Sequence, residues 1–157
     1  MKRFIYFLSI FILAAACREV YNAPPQAFAQ GSILNPVYMD SARQVPVSST
    51  FTIQGIGVEK PWIKDSTGNA FLIPLWTNDT AKFVMTFDAV TDTVSVIHRT
   101  TVKYGSMETG FYYEYQLKAL KYTHHRIDSL IISDSLATIN WHENIKFYLR
   151  ALPTGGN

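Results

Sequence analysis

Hydrophobic and polar residues follow two regimes along this chain. Residues 4–16 form one apolar run broken only by Ser9. From about residue 26 onward, apolar side chains recur at every second position over short stretches. Phe83, Met85 and Phe87 share one parity, and Val94 and Val96 alternate with Thr93 and Ser95. Phe111, Tyr113, Tyr115 and Leu117 then oppose Tyr112, Glu114, Gln116 and Lys118, while Ile145, Phe147 and Leu149 oppose Lys146, Tyr148 and Arg150. A period of two sends successive side chains to opposite faces of a strand, the pattern of half-buried antiparallel sheets. No window of helical length carries a clean 3.6-residue period.

Taken in order, the pattern predicts strands over residues 26–33, 50–56, 61–64, 71–75, 82–87, 93–98, 111–118, 126–133 and 144–149, some of them weak. Residues 36–40 either continue the first strand or form a loop. Gly55 and Gly57 mark a bulge or turn. The run Asp65-Ser66-Thr67-Gly68-Asn69 has the composition of a hairpin turn, and residues 88–92 form another. Pro74 removes a donor and points to an edge strand or a bulge. Eight or so short strands separated by turns predict an all-β fold: a single antiparallel β-sandwich, Ig-like or related.

The first regime has a different meaning. Lys2 and Arg3 precede the apolar run, and Leu13-Ala14-Ala15-Ala16 leads directly to Cys17, the only cysteine. This is the tripartite form of an export signal, and its apolar part is shorter than the roughly 20 residues that span a bilayer. Small residues before a cysteine make a lipobox. The expected organisation is a signal peptide over 1–16, a lipidated tether over 17–25 that begins at Cys17, a sandwich domain over 26–150 and a flexible tail over 151–157. Two or more acyl chains give stable anchoring where one is marginal. Pro24 and Pro25 make the tether semi-extended. No cofactor is expected beyond this covalent lipid.

Charge narrows the partners. Lys2 and Arg3 account for the formal net charge of +2, so the chain after them is neutral. A nucleic-acid surface needs a basic stripe, and none is expected here. Aromatic residues at 14% are the composition of a packed domain, not of a disordered tail.

Candidate chemistry is sparse. His124 and His125 are adjacent, so a strand would point them apart; His98 shares the parity of Val94 and Val96, and His142 follows Trp141 in a loop. No cysteine or carboxylate falls at zinc-ligand spacing, so structural or surface histidines are expected and no metal. Asp65, Asp79, Asp88 and Asp92 are explained by turn chemistry, without the closely spaced oxygens of a calcium loop. There is no Gly-x-Ser-x-Gly elbow, and no enzyme is expected. The aromatics carry more information. Trp62, Trp76, Tyr112, Trp141 and Tyr148 either face outward as an interaction surface or fill the core and cover its edges, and their spacing leaves both open.

The segments NAFLIPLWTNDTAKFVMTF (69–87) and DTVSVIH (92–98), with THHRIDSL (123–130) and NIKFYL (144–149) toward the end, resemble a family of small lipoproteins of the Bacteroidota. That family is catalogued only as a domain of unknown function. The resemblance runs over roughly residues 49–149. It implies that members often carry a Cys-Gly near the position of Thr109-Gly110 and a second cysteine near the mature N-terminus. With Cys17 alone, that disulfide is absent here. It also implies an outer-membrane β-barrel protein as partner, since members tend to be encoded beside one. Some surface-exposed lipoproteins of this group carry an acidic run after the cysteine, which Arg18-Glu19-Val20-Tyr21-Asn22 is not; the periplasmic face of the outer membrane is therefore expected. The expected function is a non-enzymatic accessory subunit docking on a barrel protein or barrel-assembly complex. The alternative is a glycan- or small-ligand-binding envelope lipoprotein. The first predicts a flat patch or open strand edge, the second a concave aromatic pocket with convergent polar groups.

Overall fold

A computed structural model describes residues 26–35 and 45–152. The expected signal peptide, the tether with Cys17, the stretch 36–40 and residues 153–157 of the tail lie outside the described residues. Two sheets are present and no helix is found among the described residues. In chain order the strands are β1 (Phe28–Leu34), β2 (Ser49–Gly55), β3 (Ile63–Gly68), β4 (Ala70–Pro74), β5 (Thr80–Phe87), β6 (Val90–Ser106), β7 (Gly110–Tyr122), β8 (Ile127–Ile132), β9 (Leu136–Ala137) and β10 (Glu143–Leu149). One sheet has the order β4-β1-β10-β8, the other β3-β2-β5-β6-β7-β9. The all-β sandwich expectation holds, with ten strands.

One ladder departs from the antiparallel expectation. β1 pairs with β10 in parallel, with Gly31 opposite Ile145 and Ile33 opposite Phe147. Sequence alternation says which face a residue takes and nothing about the direction of a distant neighbour.

The inward positions of both sheets meet in one core. Phe51, Phe71, Phe87 and Phe147 form its centre, with Phe71 and Phe147 rings 4.9 Å apart and Phe51 and Phe71 rings 5.1 Å apart. Gly31 lies beneath them. A Cβ there would meet Phe147 Cε2 and Phe71 Cε2 at 2.8 Å each, so the rings close over the bare backbone of β1. Phe83, Met85, Val94 and Val96 are fully buried, as their parity predicts.

Two expected turns are revised. Asp65, Ser66, Thr67 and Gly68 belong to β3, with Thr67 opposite Thr50 and Gly68 opposite Ser49. β3 is the edge of its sheet, and an edge strand facing water tolerates the polar residues that also make turns. Asp65 takes a positive φ of 46° and returns hydrogen bonds with the Thr52 hydroxyl. After Gly68 the chain leaves for β4 in the other sheet. The second turn is tighter than expected. Only Asp88 and Ala89 form it, both at positive φ (48° and 69°), the geometry of a two-residue hairpin. Asp92 is already inside β6.

Pro74 ends β4, an edge strand, as expected. The largest surprise is β6, which continues to Ser106 and pairs with β7 out to Gly110. β9 accompanies β7 only at Tyr115 and Gln116. The β6–β7 hairpin therefore reaches past the sandwich as an arm. Near its root, Asn144 ties the sheets together: its Oδ1 accepts from Gln30 N and its Nδ2 donates to the carbonyls of Asp134 and Leu136.

Candidate functional site

All three tryptophans gather at one end of the sandwich, where β1 begins, β4 ends and the arm departs. Phe28, at the start of β1, is the hub. Its ring stacks on Trp62 at 5.6 Å and 26°, and Trp141 meets it edge-on at 5.7 Å and 79°. The indole N–H of Trp62 donates to Leu72 O at 3.0 Å and that of Trp141 to Gln26 O at 3.3 Å, so each ring is fixed by a backbone acceptor. Trp76, just past β4, lies flat on Phe83 at 5.3 Å and 19°. Gly55 makes room for it, because a Cβ there would sit 2.8 Å from Trp76 Cη2.

These rings border a hollow of about 330 Å³, closed on the other side by Phe111, Tyr112, Tyr113 and Tyr115 of β7. Trp62 and Trp76 also wall a second hollow of about 290 Å³ over Gly55 and Pro61. Tyr115 is buried, and that burial, with the neighbouring Tyr113 hydroxyl, raises its pKa above the ordinary phenol value. It stays neutral at any physiological pH. His98 is buried beside it, edge-on to the Tyr115 ring at 5.2 Å. Its Nε2 lies 2.8 Å from the Trp76 carbonyl, to which it donates. His98 is thus a positioning residue that joins one wall of the hollow to the other.

Of the residues singled out in the sequence, Trp62, Trp76 and Tyr112 line the hollow, and Trp141 joins them through Phe28. Tyr148 does not. It is 1% exposed on β10, a strand flanked on both sides by β1 and β8, and is no part of an interaction surface. Alternation sets it opposite Phe147, but cannot tell a covered outer face from a wet one. Sequence reasoning missed Phe28, the hub, and the arm residues Val102 and Tyr104. The signal for the arm was there: Thr100, Val102 and Tyr104 continue the parity of β6 up to Gly105.

The arm bears an apolar ladder on its inner face. Val102 pairs with Tyr113 and Tyr104 with Phe111, and all four are exposed. The opposite face carries Thr101, Lys103 and Glu114, with Lys103 Nζ 3.8 Å from Glu114 Oε2. Among the described residues, no strand pairs with residues 111–114 of β7 on the side away from β6. Their free edge opens beside the hollow.

Other candidate chemistry is dispersed. No group of three or more His, Cys, Asp or Glu side chains among the described residues is placed to hold a metal ion. His124 Nδ1 reaches Asp128 O, His125 Nδ1 reaches Thr91 O, and His142 Nε2 sits 3.0 Å from Asp134 Oδ2. The Asn140 carbonyl, then the Asp134 carboxylate, raise the His142 pKa against the effect of partial burial. The hydroxyl of nearby Ser133 donates to Glu143 O, away from that pair. Asp65 accepts from the Thr52 hydroxyl, and Asp88 and Asp92 both accept from Arg126, one from its guanidinium and the other from its backbone amide, so these carboxylates are taken up by protein donors.

Fold and site together define a small two-sheet β-sandwich with an aromatic hollow at one end and an overhanging hairpin. The chain belongs to a family of unknown function (DUF6452), whose model matches residues 50–149. No curated protein and no solved structure matches it. The matched span holds the arm and all three tryptophans, whereas the hub Phe28 precedes it.

Proposed function

We propose that this protein is a non-enzymatic lipoprotein of the cell envelope, held by lipid on Cys17 at the periplasmic face of the outer membrane. There it docks on an outer-membrane β-barrel protein or a barrel-assembly complex. The observation that carries this reading is the free edge of residues 111–114 lying beside the aromatic hollow. An extended segment of the partner would add to β7 as a strand, with main-chain hydrogen bonds supplying affinity and alternate side chains entering the hollow. A lipid anchor raises the local concentration of the domain at the membrane, so a weak interface is sufficient.

The concavity of the hollow also favours a second reading, a glycan- or small-ligand-binding module. Two features weigh against it. Trp62 already spends one ring face on Phe28 and Trp76 one on Phe83, leaving little open platform for a sugar. Among the described residues, Gln26 is the only polar side chain around the hollow apart from tyrosines and tryptophans, and glycan recognition needs several convergent polar groups.

A photo-crosslinking amino acid in place of Phe111 is expected to capture an outer-membrane barrel protein in cells, while the same group at Lys121, exposed on the far part of β7, captures none. The Trp62→Ala/Trp76→Ala double variant should reduce capture at least tenfold. Equal capture at both positions, or none at Phe111, refutes docking. Loss of capture on adding a defined oligosaccharide would favour the second reading.

A further inference from the structure

The two ends of the sandwich differ in what they show to solvent, and the chain preceding the described residues enters at the more apolar one. Gln26 lines the same hollow as Phe111 and Tyr112. At this end Trp62, Trp76 and Trp141 are all exposed, and beyond them the arm carries Val102 and Tyr104 at 58%, Phe111 at 66% and Met107, on its turn, at 96%. The opposite end presents the Asp88-Ala89 turn, Thr91 and Lys121. Arm residues 110–115 extend about 17 Å past the last β9 partner at a strand's rise per residue.

We propose that the tip of the β6–β7 arm seats in the lipid bilayer interface, giving the protein a second membrane contact beside its acyl anchor and standing it on its tryptophan-bearing end. This rests on the reading of Cys17 as lipidated. Eight residues lie between Cys17 and Gln26, so the chain from one to the other reaches at most about 30 Å when extended. An anchor attached there keeps the end that contains Gln26, and hence the arm, within reach of the lipid surface. The residue types fit that surface. Tryptophan and tyrosine favour the headgroup level, where an apolar ring and a polar tip are both accommodated. Met107 and Phe111 are the most exposed large apolar side chains among the described residues. The tip of the arm, Gly105-Ser106-Met107-Glu108-Thr109-Gly110 with its turn at 107–109, has one charged residue. The contact is therefore apolar and insensitive to salt, unlike a polybasic one. It also orients the docking: the free β7 edge would face sideways along the membrane, toward the rim of a barrel.

The test uses the full lipidated protein in vesicles of phosphatidylethanolamine and phosphatidylglycerol, with no other protein present. Met107→Cys carries an environment-sensitive fluorophore, and Lys121→Cys carries the same label at the far end. The label at 107 is expected to be quenched at least twofold more by doxyl lipids than the label at 121, and to be shielded from iodide, at both low and high salt. Tyr104→Ser/Phe111→Ser should abolish the difference while circular dichroism stays that of the parent. Equal iodide access at both sites overturns the proposal. Shielding from iodide without lipid quenching overturns it too, since a second copy of the chain then covers the tip. Protein that fails to float with the vesicles removes the anchor, and the inference with it. Failure here is distinct from failure of docking: a lipid-quenched tip with no crosslink in cells refutes the barrel partner alone.

Discussion

The two ends of this sandwich are closed by different physics. At the end opposite the hollow, the buried carboxylate of Asp92 accepts from the Thr123 hydroxyl at 2.6 Å and from the backbone amides of His125, Arg126 and Ile127 at 2.8, 2.7 and 2.9 Å. One side chain thereby satisfies the segment by which the chain leaves β7 and enters β8 in the other sheet. Beside it, Arg126 Nη2 meets Asp88 Oδ2 at 2.6 Å, while its Nε and Nη1 are buried without a partner among the described residues. Among the described residues, the aromatic end has no such clamp except Asn144. Its rings stack in pairs and remain partly open, and its hairpin overhangs. The two ends divide differently: directional hydrogen bonds secure one, and uncovered apolar surface is left at the other.

The largest effect is expected from breaking the clamp. Asp92→Ala leaves three backbone N–H groups without their acceptor, at a cost on the order of 4 kcal/mol. Urea denaturation should show the midpoint falling with an unchanged slope. Acid sharpens the same point. Burial alone would raise the Asp92 pKa, but the Thr123 hydroxyl and the three amides outweigh it and hold the carboxyl below its ordinary value. For Asp88 burial again acts upward, and the Arg126 hydrogen bond with the Thr50 amide outweighs it. A carboxyl whose folded-state pKa is lowered stabilises the fold fully above its unfolded value of about 3.9, and loses that contribution as pH falls through the folded one. Parent stability should therefore drop steeply below about pH 4, and Asp92→Ala should drop less. An equal acid slope in both would refute the assignment.

At the other end the ordering reverses. Trp62→Ala removes a ring that is 49% exposed and stacked on Phe28, so its stability cost should stay near about 1 kcal/mol. Its effect on partner capture should be the larger one, at least fivefold. If Trp62→Ala instead destabilises as much as Asp92→Ala, the ends are not divided in this way.

Much of this division was hidden in the sequence, for identifiable reasons. Alternation made the β5–β6 hairpin legible, because Phe83, Met85, Val94 and Val96 keep strict parity and are all buried. It failed for residues 65–68, since a polar edge strand and a turn share a composition. It failed for Tyr148 because parity does not reveal whether an outer face is covered. Three tryptophans at positions 62, 76 and 141 became one cluster only through the crossing between sheets and the parallel β1–β10 ladder. Those are long-range pairings that no local pattern encodes. Asp92 looked like a turn residue because it follows a real turn by three positions, and the donors to its carboxylate lie more than thirty residues away.

The smallest expected effect lies at that turn and has the opposite sign. Ala89 occupies φ 69°, a left-handed conformation in which its Cβ crowds the backbone at roughly 1–2 kcal/mol. Glycine avoids this strain but surrenders more chain entropy on folding, about 0.5–1 kcal/mol. The balance favours Ala89→Gly by about 0.5–1 kcal/mol, a rise of a few degrees in melting temperature. Because Ala89 is exposed and its neighbour Asp88 holds both Thr50 N and Arg126, the gain should vanish in an Asp88→Ala background if hairpin and clamp form one cooperative unit. The same change should leave partner capture at Phe111 untouched. A gain that persists undiminished without Asp88 would mean that the turn stands apart from the clamp and that only the Asp92 hydrogen bonds close this end.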